Sequence, residues 1–197
     1  MAKINESMVA ALNDQVRREF QAAQNYLAMA VHLDGKSLEY LAAFFYQQVD
    51  EERAHAMKLV RYLLEVGHQP TIPALELPPA EFEGIKDIVQ ASLAQEQAVT
   101  AAIHELVDGA LSAKDHATYQ FLLWFVDEQV EEEASFGKLL DIIDMSANVL
   151  QVEHYVRHMA VVGAAAGEEE ARSEERRVGE ECRSRWSPYH SKKHRSS

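Results

Sequence analysis

LAAFFYQQVDEERAHAMKLVRYLLEV, residues 41–66, reads as one long amphipathic helix with a carboxylate and an imidazole set into its apolar side. Leu41, Phe45, Gln48, Glu52, His55, Leu59, Tyr62 and Val66 follow one another at steps of three or four, the spacing at which helical side chains share a face. Glu52 and His55 are thereby predicted to point into the core. The pairing alone carries little weight, because in a chain with 32 acids and 9 histidines an acid three residues before a histidine arises by chance about once or twice. A second instance, Glu65 and His68, straddles Gly67, a residue type that ends helices, so its side chains are not expected to share a face. Position on the apolar stripe is what singles out Glu52 and His55.

Outward from this helix, three further long helical patterns and a short one are predicted, with no strand-like alternation and no glycine-rich phosphate loop. The first runs from about Asn5 to His32 and carries Leu12, Val16, Glu19, Ala23, Tyr26 and Ala30 on one stripe. Asp34 to Ser37 is a short turn, with Ser37 the expected N-cap of the second helix, so the first two helices should be antiparallel neighbours. After Gly67, the segment His68 to Glu81 holds four of the five prolines and cannot be helical. A connection of this length can cross the bundle end to end and leave the second and third helices parallel. The third helix, about Glu83 to Ser112, presents Ile85, Val89, Ser92, Glu96, Val99, Ile103, Leu106 and Ala110. The fourth, about Asp115 to Met145, presents Leu122, Phe125, Gln129, Glu132, Phe136, Leu139 and Ile143, and a short fifth is expected from Ser146 to about Met159. Each long helix therefore carries an acid inside its apolar stripe: Glu19, Glu52, Glu96 and Glu132.

An isolated carboxylate in a low-dielectric core is so costly that it pairs, binds a metal or takes up a proton. Arg53 faces the wrong way to neutralise four of them. Oxygen-rich ligation with one imidazole suits a hard or borderline divalent ion, and residues 1–166 contain no cysteine for a soft one. The arrangement known from ferritin-like metal sites in bundle cores, a Glu from each of two helices and Glu-x-x-His from each of the other two, is met in part. Glu19 and Glu96 are the lone acids, Glu52 and His55 form one Glu-x-x-His, and the fourth helix offers Gln129-x-x-Glu132.

Composition agrees with such a protein. A chain of 197 residues that is 47% hydrophobic suits one domain with an appendage. No apolar run is long enough to span a membrane, and the start lacks the features of a secretory signal, so a cytoplasmic location is expected. The formal net charge is -13, and from residue 167 onward 8 basic residues stand against 7 acidic ones, so the acidic excess lies in the helical part. Such a surface repels nucleic acid and attracts cations.

With these motifs in order, the chain from Met1 to about Ala160, including the crossover and the block FLLWFVDEQVEEEASF at 121–136, resembles a bacterial non-haem ferritin of the actinobacterial type. The resemblance implies an all-α, ferritin-like four-helix bundle with one long crossover between the second and third helices and a short fifth helix. It also implies a protein that oxidises Fe(II) with dioxygen or hydrogen peroxide and stores the ferric product in a homo-oligomeric hollow shell of about 24 chains. One iron would be held by Glu19, Glu52 and His55. A second would be bridged by Glu52 and held by Glu96 and Glu132, with Gln129 close by. A third, weaker position would fall on Glu51, Glu128 and Glu131, with Glu132 shared. Tyr26 matches the family tyrosine beside the di-iron site and Trp124 a neighbouring aromatic. Haem-binding relatives have a methionine directly after the bridging Glu, where this chain has Arg53, and no haem is expected. The acids that line the pores of animal ferritins fall on Tyr119 and Leu122, so iron is expected to come in by another route.

Two other classes remain open at this level. A rubrerythrin-like di-iron oxidase or peroxidase would turn over without storing metal, but the chain lacks a four-cysteine module and a second Glu-x-x-His. A storage or scaffold shell without oxidase activity fits poorly with a full ligand set. The acids Glu128, Glu131 and Glu133 can also be read as a solvated face, and His32, His104, His116, His154 and His158 as surface residues. The remainder, 161–197, is expected to be a disordered tail, from about Gly167 with the character of non-native adaptor sequence, leaving Cys182 and Trp186 without a role.

Overall fold

The computed structural model describes residues 4–159, so the tail expectations, with Cys182 and Trp186, lie outside the described residues. Four long helices are present: α1 (Glu6–Asp34), α2 (Glu39–Glu65), α3 (Ile85–Ser112) and α4 (His116–Met145). A fifth, α5, covers 149–159 as far as it is described, and no strand occurs among the described residues. The compact unit ends at His154, and 155–159 belong to the next unit. Among the described residues, no helix is long and apolar enough to cross a membrane.

The predicted stripes are the buried faces. All six stripe residues of α1 are buried, as is the α2 stripe except Val66, the α3 stripe except Ile85 and the α4 stripe except Ile143. One end of the core is Leu12, Val16, Leu59, Leu63, Ile103, Leu106, Leu122 and Phe125. Burying each such side chain contributes about 1.5–3 kcal/mol before entropic costs.

Cross-helix contacts give the directions. Met29 meets Ser92 and Tyr26 meets Glu96, so rising numbers on α1 meet falling numbers on α3. His55 meets Trp124 and Tyr62 meets Thr118 on α4. Gln129 meets Thr100 while Lys86 meets Asp144 on α3 and α4. Each of these pairs is antiparallel, and with α1 and α2 joined by a tight turn, α2 and α3 must run parallel. The connection at 66–84 makes this possible by climbing alongside α1. Thr71 N–H donates to Asn13 Oδ1 (2.7 Å), Glu76 N–H donates to Gln21 Oε1 (2.7 Å), and Phe82 meets His32 edge-on at 5.1 Å. Gly67 starts the climb at φ +86°, a conformation that costs a residue with a Cβ. A Cβ at Gly109 would lie 3.2 Å from Met8 Cε, so the tip of that side chain fills the space a larger residue would need.

The helix ends include one correction. Asn5 Oδ1 accepts from Met8 N–H (2.7 Å) and Asp115 from Thr118 N–H (3.1 Å), both ordinary N-caps. Ser37, the expected cap of α2, instead sits in the turn at φ +60°, and Leu38 at the N-cap position offers no side-chain acceptor. The acceptor comes from far along the chain. Glu153 of α5 takes hydrogen bonds from Tyr40 N–H (2.6 Å) and Leu41 N–H (3.0 Å), placing a carboxylate at the positive end of the α2 dipole.

Candidate metal centre

Every long helix delivers its stripe acid to the interior: Glu19, Glu52, Glu96 and Glu132 are buried, as are His55 and Gln129. Glu19, Glu52 and His55 each offer one ligand atom such that all three atoms lie within 4.8 Å of one another. His55 Nδ1 is 3.5 Å from Glu52 Oε2, and that oxygen has no hydrogen-bond partner among the described residues. The ring is held edge-on by Trp124 (5.4 Å) and Phe125 (6.1 Å), and Lys58 Nζ sits 3.4 Å over the Trp124 ring, a cation–π contact that holds the indole in turn.

Glu52 also belongs to the other half of the set. Its carboxyl is pushed well above the usual range by burial and then by the charge of Glu96, with Glu132 and Glu51 adding to it. Glu19 is raised by burial and by the Glu52 charge, and Gln15 Nε2 donates to its Oε1 (2.8 Å). Glu132 is pushed up to about 8, first by burial and then by Glu96 and Glu51. Glu96 is raised by burial, partly offset by hydrogen bonds from Tyr26 and Gln129. Tyr26 is fully buried, stacks on Phe136 at 5.7 Å and donates its hydroxyl to Glu96 Oε1. Burial and the neighbouring carboxylates hold its phenol well above its ordinary pKa, so it remains a donor.

The chemistry of this set is that of a cation site. Four buried carboxyls with one imidazole hold protons in the absence of a positive partner, and divalent metal would replace those protons. Glu52 Oε2, buried and without a hydrogen-bond donor among the described residues, has lone pairs that a metal ion could take up. The donors are oxygens and one ring nitrogen, a fit for iron.

The remaining expected residues divide. Glu51 acts on both Glu52 and Glu132, and accepts from Gln47 Nε2 (2.9 Å) and from Gln48. Glu128 Oε2 is 3.8 Å from His55 Nε2, with the side chain 32% exposed. Glu131 is exposed on α4 and does not join the buried set. Gln15, Thr100 and Lys58 had no place in the sequence reading. Gln15 stands four before Glu19 and Thr100 four after Glu96, a spacing that marks same-face neighbours, whereas the reach of Lys58 to Trp124 crosses between helices.

Residues 9–146 match the ferritin-like domain family. The chain belongs to the ferritin family. This ferritin is 43% identical over 141 residues to a bacterial non-heme ferritin of Staphylococcus saprophyticus, covering 72% of this chain and 84% of that one. It is 41% identical over 157 residues to ferritin BfrB of Mycolicibacterium smegmatis, covering 79% and 87%. Among solved structures, an open pore ferritin from the hyperthermophilic archaeon Archaeoglobus fulgidus matches with a TM-score of 0.77 at 37% identity, over 79% of this ferritin and 98% of that chain.

Proposed function

We propose that this ferritin stores iron and that it oxidises Fe(II) at the buried carboxylate centre before depositing the Fe(III) product inside a homo-oligomeric shell. The observation that carries the reading is that each long helix buries one acid, that Glu19 and Glu52 bring ligand atoms within 4.8 Å of one on His55, and that Glu52 feels the charges of Glu96 and Glu132. Glu19, Glu52 and His55 would hold one Fe(II), and Glu52, Glu96, Glu132 and Gln129 a second. Four carboxylates neutralise two Fe(II) ions once their protons leave. Each Fe(II) then gives one electron, and dioxygen takes two electrons and two protons to become hydrogen peroxide; peroxide as oxidant would take two electrons and two protons to become water. Oxidation leaves the pair with two positive charges uncompensated. Hydroxide from water can supply the balance and loosen the product toward Glu51 and Glu128, which both act on Glu132.

Assembly is part of the proposal. Ile72 and Leu77 on the crossover are 73% and 94% exposed, and Val31 on α1 is 57% exposed. A shell of about 24 chains would cover such apolar side chains at subunit contacts.

The test is iron retained per chain after aerobic Fe(II) addition and desalting, with Glu52→Ala alongside. Retention far above two per chain, with slow oxidation in the variant, is expected. Retention near two with oxidation intact would mean a di-iron enzyme and would remove the storage reading.

A further inference from the structure

Gln129 is the one neutral side chain placed at the proposed second iron, and a carboxamide ligates through only one of its two ends. Its Nε2 donates to the main-chain oxygen of Glu96 (3.2 Å), to Glu96 Oε2 (3.3 Å) and to Thr100 Oγ1 (3.3 Å). The third contact is decided one step farther out. Thr100 has a single hydroxyl proton, and it goes to Glu133 Oε1 at 2.6 Å. Toward Gln129 the threonine oxygen can therefore only accept. Turned the other way, the amide would set its carbonyl oxygen against two acceptors, the Glu96 main-chain oxygen and Thr100 Oγ1. Glu133 thus fixes Thr100, Thr100 and the Glu96 main-chain oxygen together fix the amide, and the carbonyl Oε1 is the end that makes none of these contacts with α3. A reversed amide would offer a cation N–H hydrogens in place of oxygen lone pairs.

We propose that Thr100 and Glu133 are positioning residues that orient the Gln129 carboxamide so that its carbonyl oxygen ligates the second metal ion. The inference rests on the proposed function in one respect, that Gln129 faces that ion. Neither residue touches metal: Thr100 acts through Gln129, and Glu133 acts through Thr100. Outer partners of this kind change metal affinity by roughly 10- to 100-fold when removed.

Co(II) serves as the probe, since it binds oxygen and nitrogen ligands and reports them by its visible absorption without turnover. The metal-free full-length protein is titrated by calorimetry and absorption as wild type, Thr100→Val, Thr100→Ser, Glu133→Ala and Gln129→Leu. The expected result is two ions per chain in the wild type, with second-ion affinity weakened about tenfold or more in Thr100→Val, Glu133→Ala and Gln129→Leu. First-ion affinity at Glu19, Glu52 and His55 should be unchanged, which also shows the variants are folded, and Thr100→Ser, which keeps the hydroxyl, should bind as the wild type does. Weakening in Gln129→Leu but not in Thr100→Val or Glu133→Ala would overturn the inference and leave the proposed function standing. Equal weakening of both ions in Thr100→Val and Thr100→Ser would overturn it too, because the residue would then matter for packing alone. A Gln129→Leu variant that binds both ions normally would remove Gln129 from the metal, and the inference would fall with that reading.

Discussion

At the scale of single residues, the buried carboxyls tie folding, pH and metal together. Folded Glu132 holds its proton up to about 8, against an ordinary value of 4.5, so between these values the folded state binds more protons than the unfolded chain. Its contribution is fully present below the ordinary carboxylate value and is lost as the pH rises through about 8. Glu19, Glu52 and Glu96 are raised in the same sense, chiefly by burial. The metal-free protein should therefore melt at progressively lower temperature from pH 5 to pH 8, and Glu132→Gln should flatten that decline, as calorimetry in a chelator will show. A rise across the same range would contradict the assignment. Tyr26 yields a second expectation. Tyr26→Phe keeps the stacking on Phe136 but leaves Glu96 without its hydroxyl donor, and should cost about 1–3 kcal/mol in urea denaturation of the metal-free protein. An unchanged midpoint would mean that the bond contributes nothing net.

At the scale of elements, α2 carries the decisive pair Glu52 and His55, yet its first turn depends on another helix. Glu153 accepts from the main-chain N–H groups of Tyr40 and Leu41 across more than a hundred residues of sequence. Glu153→Ala should lower stability by about 1 kcal/mol, the usual worth of an N-cap, and should speed amide exchange at Tyr40 and Leu41 while leaving α3 protected. Exchange unchanged at those two amides would show that water replaces the carboxylate at no cost. No local rule could have exposed this contact. Ser37 had the right chemistry and nearly the right position, but it sits in the turn at φ +60° and the N-cap position falls one residue later, on Leu38. The helix stripes were legible for the opposite reason. Burial of Glu19 follows from its spacing to Val16 and Ala23 on the same helix, and needs no knowledge of the partner helix.

At the scale of the whole molecule, the crossover strapped to α1 by Asn13 and Gln21 makes α2 and α3 parallel and leaves Ile72 and Leu77 facing outward. Under the shell reading these residues lie at subunit contacts. Leu77→Glu should then shift the assembled species toward smaller ones in light scattering while helical content stays the same, and an unchanged assembly would move the contact elsewhere. By itself the sequence determined the helices, their buried faces, the helix-free crossover and the fact that one acid per helix turns inward, because a 3.6-residue period is a local property of the chain. Only the tertiary structure decided which of those acids meet, that Glu128 reaches His55 while Glu131 stays outside, that Glu153 caps α2, and that Thr100 links Gln129 to Glu133. These depend on the register between helices, and that register comes from side chains packing against one another across the bundle, which no spacing within one helix encodes.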